Sequence, residues 1–75
     1  MPRMTSWSTR EYYSLQFDRQ VARVSGWDDH DQEHWIEIET GVGYRDRRTD
    51  AVTRIQASIE AGDSAGEVTQ GERNG

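Results

Sequence analysis

The hydrophobic period of this chain changes once along its length, and that change dictates strands first and a helix after them. Ile36 and Ile38 alternate with Trp35, Glu37 and Glu39, as in a strand with one covered face. Val52, Ile55 and Ile59 instead recur at helical spacing, flanked by Ala51 and Ser58. Thr49 or Asp50 can cap this helix and Gly62 can end it, which sets its span at Asp50 to Ala61. Gly41 and Gly43 bend the chain between the two elements, before Tyr44.

Residues 11–26 carry two patterns at once. Tyr13, Leu15 and Phe17 alternate with Ser14, Gln16 and Asp18, and Val21, Ala22 and Val24 can form a returning strand after a turn at Asp18-Arg19-Gln20. Against this, Ser8-Thr9-Arg10-Glu11 fits a capping box, and Tyr13, Phe17, Val21 and Val24 share a helical face that Gly26 could close. The hairpin is favoured, because the helical stripe omits Tyr12 and Leu15 while the strand pattern uses aromatic residues where strands favour them. The fold class expected is α+β: a three-stranded antiparallel meander followed by one C-terminal helix. Its core would bring Val52, Ile55 and Ile59 against Tyr13, Leu15, Phe17, Ile36 and Ile38.

A chain of 75 residues makes one small domain, and one of this size buries only about 60% of its unfolded surface. It has no cysteine, so neither disulfides nor thiolate metal sites can staple it. Residues 1–10 hold Trp7 as their one large anchor and read as a flexible arm. The folded part is expected at 11–62. Residues 63–75 are rich in glycine and have one valine and no aromatic side chain, so a disordered tail is expected there. Self-association as a homodimer is one way for so thin a core, with three tryptophans, to gain stability. No stretch approaches the ~20 apolar residues of a membrane span, and the N-terminus has no secretory apolar run. A soluble protein of the cytoplasm is expected.

The functional signal is charge. Between Arg23 and Arg45 there is no Lys or Arg, but there are Asp28, Asp29, Asp31, Glu33, Glu37 and Glu39, in a chain of net charge −5. Such a field suits a protein partner with a basic surface and disfavours direct nucleic-acid binding. Trp27 and Trp35 bracket most of the carboxylates and would supply anchors of the kind enriched at binding hot spots. The same stretch also suits plain solubility, since charges on strand edges block strand addition.

Catalysis is not expected. The carboxylates alternate on an exposed strand or crowd a loop, with no sign of a pocket that would split their pKa values, and no nucleophile-elbow, phosphate-loop or dinucleotide motif is present. His30 and His34 stand four apart, a metal-compatible spacing on a helix, but they fall in a segment that reads as a solvated loop between strands. No metal or cofactor is therefore assigned. Arg45, Arg47 and Arg48 with Asp46 form the one basic cluster, which could contact phosphate or simply pair with neighbouring acids.

In its length, its lack of cysteine, its carboxylate segment Asp28–Glu39 and its sheet-plus-helix pattern, the chain resembles small phage-encoded anti-CRISPR proteins. Those proteins share no common motif, so the resemblance assigns no residue. It implies an inhibitor in the host bacterial cytoplasm that binds the DNA-recognition surface of a CRISPR surveillance complex, with carboxylates imitating DNA phosphates. The layout is also similar to the arm-binding domains of phage integrases, which press a sheet face into a DNA groove. That alternative requires Arg19, Arg23, Arg45, Arg47 and Arg48 to converge on one face. An antitoxin-like interaction module is a third class.

Overall fold

The alternation about Ile36 and the stripe through Ile55 become a strand and a helix packed on each other. The computed structural model describes residues 1–68, in the order β1 (Met4–Ser14), β2 (Arg19–Asp28), β3 (Glu33–Glu39), α1 (Tyr44–Glu60) and β4 (Gly66–Glu67). β1, β2 and β3 form an antiparallel meander, and β4 joins the free edge of β3 in parallel. The class is α+β with a mixed four-stranded sheet, rather than three antiparallel strands alone. No helix among the described residues is long and apolar enough to cross a membrane.

Residues 11–26 are a hairpin, but its turn falls at Leu15–Asp18 instead of Asp18–Gln20. The Ser14 hydroxyl accepts the Phe17 amide at 3.2 Å, and Asp18 closes the turn with a φ of 55°. Leu15 (89% exposed) and Phe17 (47%) therefore leave the strand alternation and do not join the core. Tyr13 also stays outside it, its hydroxyl donating to Asp18. The flexible arm expected at residues 1–10 is corrected too: Met4–Arg10 pair with β2 along most of its length.

Cross-strand partners share a face, so the register sorts the sheet into two sides. The inner side carries Ala22, Val24, Gly26 and Asp28 on β2 and His34, Ile36 and Ile38 on β3. α1 lies across this side, and Val24, Ile36, Ala51, Ile55 and Ile59 form the core with Met4, Ile38, Val52 and Val68 against them. Burying each large aliphatic side chain contributes about 1.5–3 kcal/mol. Gly26 marks the closest approach, since a Cβ there would stand 2.6 Å from Ile55 Cγ2 and 2.8 Å from Met4 Sδ.

The helix begins six residues before the expected Asp50, so Arg45, Arg47 and Arg48 lie in its first turns. Cations are poorly placed at a helix N-terminus. Arg47 offsets this by donating back to the carbonyls of Glu39 (3.1 and 2.9 Å) and Thr40 (3.2 Å), which fastens the β3–α1 connection. At the other end Gly62 takes a φ of 81°, donating to Ile59 O, while Asp63 donates to Ser58 O. These two bonds satisfy carbonyls the helix cannot pair itself. The chain then returns to the sheet, and Val68 donates to Trp35 O at 2.8 Å. The expectation of disorder from residue 63 fails over 63–68; residues 69–75 lie outside the described part.

Candidate functional site

The acidic segment does not act as one surface. Asp28 ends β2 on the inner side of the sheet and is buried. One of its carboxylate oxygens accepts the backbone amides of His30 (2.8 Å) and Gln32 (3.0 Å), and the other lies 2.9 Å from His34 Nε2. The Gln32 amide and then the His34 ring are the main causes that hold the Asp28 carboxyl at about 2, below its ordinary 3.8, against the opposing effect of burial. An ionised carboxylate can only accept, so His34 Nε2 carries the hydrogen in this pair.

This overturns two expectations. Asp28 does not belong to an exposed acidic surface, because it is buried and its oxygens are committed to closing the β2–β3 loop. His34 is not a solvated loop histidine, because it sits in β3 with 1% of its surface exposed. The signal for Asp28 was a short carboxylate just ahead of a polar loop, where an Asx-type turn bonds backbone amides further on, and the signal for His34 was its parity with Ile36 and Ile38 on the covered face of the strand. His30 points away with its side chain 81% exposed, 3.9 Å from Asp29, so the two histidines do not face a common metal. No group of three potential metal ligands occurs among the described residues.

The remaining acids do gather. Asp29 and Asp31 project from the loop, and Asp31 takes a φ of 66° there. Glu33, Glu37 and Glu39 share the outer side of β3 with Trp35, and Trp27 stands beside Glu33 on β2. Glu67, expected in a disordered tail, pairs with Trp35 across β3–β4 and adds another carboxylate. Glu33 accepts the Ser25 hydroxyl at 2.5 Å, and Glu39 pairs with Arg19 at 2.6 Å in an exposed bridge of little energetic weight. Among the described residues Glu37 has no ion-pair partner.

Arginine enters this face from β2. The guanidinium carbon of Arg23 lies 3.8 Å from the Trp35 ring centroid, a close cation–π stack. Composition marks Trp35 as an anchor but not the arginine that covers it; only the diagonal register across β2–β3 brings the two together. The five arginines that a groove-binding sheet would need do not converge. Arg19 and Arg23 lie on the outer side of the sheet, whereas Arg45, Arg47 and Arg48 belong to the helix on the opposite layer. Neither a protein-family model nor a curated protein nor a solved structure matches this chain.

Proposed function

We propose that the protein is a non-catalytic binding module whose open sheet face engages a basic protein surface. By occupying that surface it inhibits a nucleic-acid-binding assembly. The observation that carries this reading is the Arg23–Trp35 stack within a frame of carboxylates: Glu37 opposite Arg23, Glu67 beside Trp35, and Glu33 and Glu39 along the same strand. The face already accommodates one guanidinium of its own chain, and the chemistry that holds it suits arginines offered by a partner. Asp29, Asp31, Glu33, Glu37, Glu39 and Glu67 then act as the field that attracts the partner, with Trp27 and Trp35 as anchors. A CRISPR surveillance complex is the candidate that the resemblance supplies, and imitation of DNA phosphates is the corresponding mode.

The test begins with partners captured from host lysate and identified by mass spectrometry, followed by titration of the purified partner. Association should be fast and should weaken as salt rises. Glu37→Gln with Glu39→Gln should weaken it, whereas Asp46→Asn with Glu60→Gln on the helix, an equal change in net charge, should not. A partner without a nucleic-acid-binding surface, or equal losses from both pairs, would overturn the proposal.

A further inference from the structure

Next to the acidic strand, the same sheet face carries an arrangement of the opposite sign. Arg10 on β1 and Arg23 on β2 are direct cross-strand partners on the outer side. Like charges directly opposite one another destabilise a sheet. Neither arginine has an ion-pair partner among the described residues, although the chain as a whole is acidic, at −5. Arg23 Nε is buried and has no hydrogen-bond partner among the described residues, while the guanidinium carbon lies over Trp35, 3.8 Å from the ring centroid. An unused donor on a guanidinium stacked against a ring is a position for an acceptor.

The two arginines form one wall of a cleft of about 370 Å³ that is floored by Ser8 and Ser25 and bounded at its far end by Trp27 and Glu33. The register gives it three rows: Arg10 and Arg23, then Ser8, Ser25 and Trp35, then Ser6, Trp27 and Glu33. Ser8 and Ser25 in the middle row open the space beside Trp35. The Glu33 carboxylate is two rows from the arginine pair and is occupied by the Ser25 hydroxyl. Glu37, which does share the row of Arg23, comes within ion-pair distance of neither arginine.

We infer that this cleft binds an oxyanion, a carboxylate or a phosphate, held between Arg10 and Arg23, with the flat or apolar body of its molecule lying over the serines against Trp27. A planar fork of donors matches both anions, and bidentate contact would remove the Arg10–Arg23 repulsion. This inference shares the Arg23–Trp35 stack with the proposed function but does not need its partner, because the anion would be held by the arginine pair of β1 and β2 rather than by the β3 carboxylates.

Nitrogen-15 NMR titrations of the full chain with benzoate and with inorganic phosphate, in low-chloride buffer, test it. Saturable shifts at Arg23 Nε–H, the Ser8 and Ser25 amides and the Trp27 indole are expected with at least one probe. Saturation with benzoate alone assigns a carboxylate bearing an aromatic body, with phosphate alone a phosphate group, and with both a general oxyanion site. Arg10→Gln, an exposed change that leaves the Trp35 stack in place, should weaken binding about tenfold and keep a dispersed spectrum. Arg45→Gln on the helix should leave binding as it is. No saturation with either probe at tens of millimolar, full binding in Arg10→Gln, or an equal loss in Arg45→Gln would overturn the site.

Discussion

The two sides of the β2–β3 ladder are built from alternating residues of the same segments, yet they obey opposite rules. On the inner side every large group is covered and committed: Val24 and Ile36 lie under Ile55, and Asp28 holds His34 and two loop amides. On the outer side Val21 is buried, but the charged and aromatic groups are half-exposed or exposed and held loosely. Arg23 rests on Trp35, Glu39 meets Arg19 at the surface, and Glu37 has no ion-pair partner among the described residues. A carboxylate on the inner side is therefore a structural part, and one on the outer side is available for contact. Charge alone does not distinguish them; the side of the sheet does.

Breaking the inner side should have the largest effect. Ile55→Ala is expected to cost about 2–5 kcal/mol, a large share of the stability of so small a domain. Chemical denaturation measures it, and a curve that overlays the parent's would remove the core assignment. Gly26→Ala should come next, at roughly 1–3 kcal/mol, because Ile55 is branched and buried and cannot retreat from the added methyl as Met4 can.

Asp28→Ala sharpens the comparison within the acidic segment. It leaves the amides of His30 and Gln32 and the ring of His34 without their acceptor, so the melting temperature should fall although a negative charge has been removed. Its pH dependence has a definite sign. The Asp28 carboxyl is lowered from 3.8 to about 2 in the folded protein, so its contribution is complete above pH 3.8 and is lost as the pH falls towards 2. Denaturation midpoints of the parent should drop through that window, and Asp28→Asn should flatten the drop. Identical acid limbs would show that the inner carboxylate carries no special role. The smallest effect is expected outside: Glu37→Gln with Glu39→Gln should change stability by no more than about 0.5 kcal/mol, even while it weakens partner binding. A clear loss of stability there would erase the distinction between the two sides.

Much of the inner side is legible in the sequence. A period-two run around Ile36, the helical stripe of Ile55 and Ile59 and the terminating Gly62 each carry their own local physics, and each lies where that physics puts it. The helix starts earlier than its caps and stripe imply, because Arg45, Arg47 and Arg48 are poor residues for a first turn and the reach of Arg47 to Glu39 and Thr40 makes them acceptable. Leu15 and Phe17 continued an apolar alternation that the hairpin turn interrupts, and periodicity does not show where a turn falls.

By itself, then, the sequence determined that strands precede a helix, which aliphatic residues of the helix face the sheet, and that negative charge is concentrated before Gly41. Those follow from periods and composition, which are local. The tertiary structure alone decided that Asp28 is buried against His34, that Arg23 covers Trp35, that Glu67 returns beside Trp35, and that Arg10 stands opposite Arg23. Each of these depends on register between strands distant in sequence. A slip of one residue would turn every side chain to the other face, and no single segment encodes which register is adopted.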